Sequence, residues 1–217
     1  MSHHRMVFLG PPASGKGTAA AALSTVYSVP HVSTGQMFRE AIRKGGPVGE
    51  AAKQFIDKGQ LVPDEITIEV VRLWLDEHGL AGGFIFDGFP RTRAQAEAFD
   101  HVLNERAIPV TIAILLDVRE ADILKRVLGR LSCEKCGALY HSKFVPPQRR
   151  GICDKCGGRL TQRADDTAET VRKRLDVYRE LTLDVVKYYE QAGILKRVDG
   201  CQARDKVFAD IKGLLPT

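Results

Sequence analysis

Along the chain, short runs of apolar, β-rich residues alternate with stretches whose apolar positions recur every three or four residues. Met6 to Leu9 is apolar throughout and a helical pattern follows from about Gly15 to Val26, while Phe84 to Asp87 leads into helical periodicity that ends at Glu105. Val110 to Leu116 precedes a helix predicted to reach about Arg130, which would place Arg126 and Arg130, four apart, on one helix face. Leu195 to Val198 follows a long helix from about Ala168 to Gln191, and His31-Val32-Ser33 supplies a further strand. This alternation predicts an α/β fold: a parallel five-stranded sheet flanked on both faces by helices.

Two stretches break the alternation. Residues 33–62 read as two helical segments joined by Gly45-Gly46-Pro47 and ending near Gly59, a helical insertion. Residues 129–166 are rich in Cys, Gly, Pro and Arg and have little helical periodicity, so they need something other than a large apolar core. The remaining segments, 1–32, 63–128 and 167–217, make up the core domain.

Composition narrows the class. With 217 residues, 44% hydrophobic and 27% charged, the chain can bury one compact core with a small inserted subdomain. The longest strand-like run, Ile112 to Leu116, stops at Asp117, far short of the ~18 apolar residues of a membrane helix. The N-terminus leads straight into an apolar strand, which leaves no room for a signal peptide and predicts a cytoplasmic protein. A net charge of +5 permits nucleic acid, an anionic membrane or phosphorylated small molecules as partners and cannot choose among them.

Gly10-Pro11-Pro12-Ala13-Ser14-Gly15-Lys16-Gly17-Thr18 follows the first strand and matches G-x-x-x-x-G-K, with Gly17 interposed before the hydroxyl residue. Glycines let backbone N–H groups converge on phosphate oxygens, the following helix offers its positive end, and Lys16 adds a mobile charge. Thr18 or Ser14 could approach a magnesium shell. Such a loop predicts mononucleotide binding, and is shared by kinases, ATPases and GTPases.

Four of the five cysteines form Cys133-x2-Cys136-x16-Cys153-x2-Cys156, two knuckles that offer four thiolates to one tetrahedral ion. Gly137 and Gly157 follow the second cysteine of each knuckle, where a tight turn wants little side chain. A closed four-thiolate set predicts structural zinc, with an iron centre or redox disulfides as the alternatives. Lys135, Lys143, Arg149, Arg150, Lys155 and Arg159 would also suit a nucleic-acid-binding zinc ribbon, which gives the phosphate loop no role.

The set Gly-Lys-Gly-Thr, Ser33-Thr34-Gly35-Gln36-Met37 and Phe86-Asp87-Gly88-Phe89-Pro90-Arg91, in that order, resembles the adenylate kinases. The resemblance continues through Arg126, Gly129-Arg130, Tyr140-His141, Arg163-Ala164-Asp165-Asp166, Glu169 to Arg174 and Val198-Asp199-Gly200, and so covers nearly the whole chain. It implies a P-loop fold in which 33–62 binds the nucleoside monophosphate and 129–166 is a zinc-binding lid. The implied reaction is reversible phosphoryl transfer from magnesium-ATP to AMP, giving two ADP. Thr34-Gly35 and the long four-cysteine lid favour the adenylate type over a pyrimidine or guanine nucleoside monophosphate kinase.

By the same resemblance, ATP would meet Ala13, Ser14, Gly15, Lys16, Gly17, Thr18, Arg130, Leu139, Tyr140 and Gln202. AMP would meet Thr34, Arg39, Gln60, Leu61, Val62, Gly88, Phe89, Pro90, Arg91, Gln95, Arg163 and Arg174, with Thr34 and Gln95 on the base. Lys16, Asp87, Arg91, Arg126, Arg130, Arg163 and Arg174 would carry catalysis, Asp87 holding magnesium through water. Arg172 and Arg174 cannot share a helix face, and Arg174 is the one expected to point inward. His141 also falls on the ATP side of the resemblance, and is otherwise a lid surface residue or a metal ligand. Gln36 stands where an acidic residue is common, and Gln202 near where a lysine is often found. The resemblance calls for ATP, AMP and ADP as small-molecule substrates and for no nucleic acid, membrane or second subunit, so a monomer is expected.

Overall fold

A computed structural model describes residues 4–45, 47–58, 60–78, 80 and 82–215. Gly46 and Gly59, the expected joint and end of the helical insertion, and Met1 to His3 lie outside the described residues. Five parallel strands form the sheet: β1 (His4–Leu9), β2 (His31–Ser33), β3 (Gly83–Asp87), β4 (Ile112–Asp117) and, late in the chain, Leu195–Asp199. The order is β2-β3-β1-β4 and then that last strand, so β1 lies between β3 and β4, with Phe8 level with Asp87 on one side and Ile114 on the other.

Both sheet faces are covered, which is why the strands read as continuous apolar runs. One face presents Val7, Leu9, Phe84, Phe86, Ala113 and Leu115 to α4 (Asp64–His78), α5 (Arg93–Glu105) and the later helix Leu183–Gln191. The other presents Met6, Phe8, Ile85, Ile112, Ile114 and Leu116 to α1 (Lys16–Tyr27) and the C-terminal helix Arg204–Gly213. Successive residues of each strand thus serve opposite cores.

Each interruption has a small apolar cluster beside the two sheet cores, that of the first shared with Ile66 and Val70 of α4. Residues 33–62 supply α2 (Thr34–Lys44) and α3 (Pro47–Ile56), with Phe38, Ala52 and Val62 buried together. Beyond α6 (Glu120–Leu128), a small antiparallel sheet forms from β5 (Arg130–Cys133), β6 (Leu139–His141) and β7 (Leu160–Thr161). Its interior is Cys133, Tyr140, Cys153 and Leu160, little apolar material for so long a segment.

One expectation fails here. The helix stops at Leu128, and Arg130 opens a strand, so Arg126 and Arg130 do not share a helix face. The cause is tertiary: the Gly129 carbonyl accepts from the Ser142 N–H at 2.8 Å, and a Cβ on residue 129 would stand 2.4 Å from the His141 ring. Pairing of β5 with β6 therefore ends a helix that local periodicity would continue.

The chain returns through α7 (Ala168–Val177), a π-helical turn (Tyr178–Thr182), α8 (Leu183–Gln191), β8 (Leu195–Asp199) and α9 (Arg204–Gly213). Thr182, buried at the end of the π turn, donates from Oγ1 to the Arg91 carbonyl at 3.0 Å. Among the described residues no helix is long and apolar enough to cross a membrane.

Candidate active site

The carboxyl ends of β1, β3 and β4 face one crevice, where parallel sheets collect ligands. β1 runs into the glycine-rich loop through Gly10, whose φ is +136° and whose hydrogen stands where a Cβ would meet the Leu116 carbonyl at 2.6 Å. The loop turns through Ala13 and Gly15 at φ +56° and +104° and enters α1 at Lys16. The first N–H groups of α1 lack intrahelical partners and lie at its positive end, a ready anion site.

Lys16 folds back over this loop. Its Nζ donates to the carbonyls of Gly10 at 2.8 Å and Pro11 at 2.7 Å and to Ser14 Oγ at 3.3 Å. Burial, with Arg91 and Arg130 nearby, lowers its pKa to about 8 against the opposing pull of Asp87. Asp87, at the end of β3, packs against Gly17 and lies 3.5 Å from His31 Nε2. Burial works to raise its pKa, but His31, Lys16 and Arg91 outweigh that and hold the carboxyl below its usual range.

Around these residues gathers a set of arginines from different parts of the chain. Arg91 Nε donates to the Gly88 carbonyl at 2.6 Å, and burial together with Arg174 lowers its pKa to about 10. Arg163 is lowered to about 10 by burial, with Arg39 and Arg130 adding like charge. Arg39, from α2, is lowered by burial and feels Asp165, Arg130 and Arg174. Two carboxylates hold this cluster together: Asp166, fully buried, binds Arg130 bidentately, with Nε–Oδ2 at 2.8 Å, and Asp165 pairs with Arg174. Guanidiniums so crowded need anions, and nucleotide phosphates would meet that need.

Against this geometry, residues 8–194 match the family model for adenylate kinase. The chain belongs to the adenylate kinase family. Curated relatives named adenylate kinase include that of Clostridium tetani, 48% identical over 210 residues, 97% of each chain. That of Geobacillus sp. strain WCH70 is 47% identical with the same coverage. That of Thermodesulfovibrio yellowstonii is 46% identical over 211 residues, 97% of this chain and 98% of the relative.

Within this adenylate kinase fold, Thr34, Gly88, Arg91 and Gln95, four of the residues expected at AMP, are hydrogen-bonded to one another. Thr34, buried, donates to the Gly88 carbonyl at 3.2 Å, the same oxygen that Arg91 holds. Gln95 is buried nearby, and Phe89, followed by a cis peptide to Pro90, packs 5.0 Å from Phe99. Gln60, Leu61 and Val62 link α3 to α4, with the Gln60 N–H bonded to the Phe55 carbonyl and Val62 buried against Phe38. Arg174 faces inward and Arg172 outward, as their spacing required.

On the ATP side the residues divide. Leu139 approaches the phosphate loop, 3.6 Å from the Cβ position of Gly17. Arg126 instead donates to the backbone carbonyls of Ser14 at 3.2 Å and Gly200 at 2.7 Å, clamping the loop from behind. Tyr140 points into the lid, its hydroxyl accepting from the Asp154 N–H at 2.9 Å and lying 3.6 Å from Cys153 Sγ. Gln202 donates to Asp210 at 3.1 Å, and Thr18 is exposed. His141 is buried instead of standing on the lid surface: Nδ1 accepts from the N–H groups of Lys143 and Phe144, and its ring lies 4.4 Å from that of Phe144.

The four cysteines converge, their sulfurs all within 4.8 Å of one another. Cys133 and Cys156 are 3.4 Å apart and Cys136 and Cys153 3.6 Å. A tetrahedron with metal–sulfur bonds of ~2.3 Å has sulfurs about 3.8 Å apart, so the set fits zinc. Gly137 and Gly157 turn each knuckle at φ +70° and +69° and donate to the carbonyls of Cys133 and Cys153. The Gly158 N–H favours the Cys156 thiolate, yet Cys136, burial and the other two sulfurs push that thiol up to about 12. Four thiolates together call for a divalent cation.

Sequence reasoning did not single out His31, Thr92 or Asp64. The first lies on Asp87, and the other two form a half-buried hydrogen-bonded set with the buried Gln95. Only the capping pattern of Thr92, three residues before Gln95, is a signal for any of them.

Proposed function

We propose a division of labour among these residues in the reversible transfer of a phosphoryl group from magnesium-ATP to AMP, giving two ADP and balancing adenine nucleotides. One observation supports it above others: Lys16 at the start of α1, Arg39 in α2, Arg91 after β3, Arg130 and Arg163 in 129–166 and Arg174 in α7 come from distant parts of the chain, yet lie close enough to act on one another. Two polyanions can be brought end to end only where such charge is arranged beforehand.

In this reading Lys16 and the loop backbone hold the ATP phosphates, Arg39 and Arg91 hold the AMP phosphate, and Arg130, Arg163 and Arg174 neutralise charge on the group in flight. Asp165 and Asp166 keep these last guanidiniums aimed until phosphate oxygens replace the carboxylates. Magnesium, when bound with ATP, neutralises phosphate charge, and Asp87 is the carboxylate placed to meet its water shell. Zinc on Cys133, Cys136, Cys153 and Cys156 is structural, since four thiolates leave no open position.

The moving parts are 33–62 for AMP and 129–166 as the lid, on a core of 1–32, 63–128 and 167–217. The chain works as a monomer in the cytoplasm, because one chain supplies every site residue and a four-thiolate metal site with one further thiol, Cys201, suits a reducing compartment. Nucleic acid and membrane have no place in the site. The test is a coupled assay of ADP formation from ATP with AMP, CMP, UMP and GMP in turn. Preference for AMP is expected; comparable kcat/KM for CMP overturns the acceptor assignment.

A further inference from the structure

Gln95 is only 2% exposed, and both ends of its amide are tied. Its Oε1 accepts from the Arg91 N–H at 2.8 Å, and its Nε2 donates to Asp64 Oδ1 at 2.7 Å. The other Asp64 oxygen accepts from the Thr92 hydroxyl at 2.7 Å, while Thr92 Oγ1 accepts from the Gln95 N–H at 3.1 Å. Asp64 opens α4 and Thr92 caps α5, so the two helix starts meet at this amide.

A carboxylate can only accept and a backbone N–H can only donate. Turning the Gln95 amide end for end would set Oε1 against the carboxylate and the NH2 group against the Arg91 N–H, two like pairs at hydrogen-bond distance on a side chain that is itself almost wholly buried. Left in its observed sense, the amide has one further N–H to donate and one further lone pair to accept with.

We propose that Asp64 is a positioning residue for base selection: it fixes which way round Gln95 presents that free donor and acceptor. The proposal rests on Gln95 contacting the acceptor base. Adenine offers an amino donor beside a ring-nitrogen acceptor, whereas guanine offers a carbonyl acceptor beside a ring N–H donor. A freely turning amide serves both bases, one sense for each. A locked amide serves one and leaves the other with unpaired buried groups, a mismatch that sites of this kind penalise heavily.

The experiment compares kcat/KM for AMP and GMP in the wild type and in Asp64→Asn, whose amide can either donate to or accept from Gln95. The ratio of AMP to GMP is expected to fall about ten-fold, within the range a bidentate base contact commands, through a raised KM for AMP with kcat at saturating AMP little changed. Thr92→Val loosens the same turn without removing the Asp64–Gln95 bond; it should lower the melting temperature and leave the ratio alone, and a fall in the ratio there equal to that in Asp64→Asn overturns the proposal.

Gln95→Leu separates the two readings. If it leaves the ratio unchanged, Gln95 is not the base contact and the premise falls. If it erases the preference while Asp64→Asn keeps it, the premise stands and the role of Asp64 is overturned. Should Asp64→Asn fail to fold, the wild type decides through the scalar coupling across the hydrogen bond from the Arg91 amide nitrogen to the Gln95 side-chain carbonyl carbon: a resolved coupling is expected, and its absence beside resolved couplings across the backbone hydrogen bonds of the sheet overturns the lock.

Discussion

Gly17 and Asp87 are fitted to each other: a Cβ on residue 17 would stand 2.9 Å from Asp87 Oδ2. The glycine between Lys16 and Thr18 therefore leaves room for a carboxylate at the floor of the phosphate site. Gly17→Ala should displace that carboxylate, lowering kcat roughly 10²-fold, as misplacement of a catalytic group does, and raising the magnesium concentration at half-maximal activity. Asp87→Asn should raise it too by removing the charge, and Gln36→Asp should lower it. Magnesium titrations check all three, and an unchanged midpoint in both Gly17→Ala and Asp87→Asn would remove Asp87 from the metal's surroundings.

Lys16→Met and Arg91→Ala should each cut turnover by roughly 10²–10³, the usual cost of one charge-stabilising donor, while circular dichroism shows an intact fold. Arg126→Ala should behave differently, because its guanidinium braces the loop carbonyl of Ser14 and the Gly200 carbonyl. Loss of thermal stability should accompany its loss of rate, and a melting curve beside the kinetics distinguishes the two patterns.

Without nucleotide phosphates beside it, Lys16 is lowered to about 8 from its ordinary 10.5, because burial and neighbouring cations outweigh Asp87. Above about pH 8 the folded chain therefore binds fewer protons here than the unfolded chain. This group's contribution makes stability rise with pH from about 8 to 10.5 and is constant below 8. ATP phosphates favour the ammonium, so ATP binding near pH 9 should take up a proton. Calorimetry in buffers of differing ionisation enthalpy should show uptake near pH 9 that vanishes near pH 7 and in Lys16→Met. Uptake that persists in Lys16→Met assigns the proton elsewhere.

The lid should carry one tightly held zinc per chain. Structural zinc contributes on the order of 10–16 kcal/mol in isolated small modules, and the apolar interior of this lid is slight. Chelation, or Cys153→Ser, should loosen 129–166 before the main sheet unfolds, seen as early proteolysis in that segment. Substoichiometric metal in fresh protein, with melting unchanged by chelator, contradicts this.

The sheet was legible in the sequence because both its faces are buried, which makes Met6 to Leu9 or Phe84 to Phe86 apolar at every position. The phosphate loop and the four cysteines were legible because their chemistry depends on spacing within one short segment. Arg130 was misplaced onto a helix because what stops that helix, the pairing of β5 with β6 and the His141 ring against Gly129, comes from residues a dozen positions on. The environment of Gln95 was hidden for the same reason: Asp64 is thirty-one residues away, and a single acidic residue at a helix start carries no mark of what it touches.

The π turn at Tyr178–Thr182 gives the returning helix a fixed phase. An α-helix advances about 100° per residue, and a π turn accommodates one residue more than an α turn. Val171 and Leu175 before it face α6, while Val185, Val186 and Tyr189 after it face α5 and the sheet. Deleting one residue from 178–182 would restore a regular helix at the expense of rotating one of these two faces into water, and would draw Thr182 away from the Arg91 carbonyl. The segment therefore tolerates substitution far better than any change of length, unlike a surface loop.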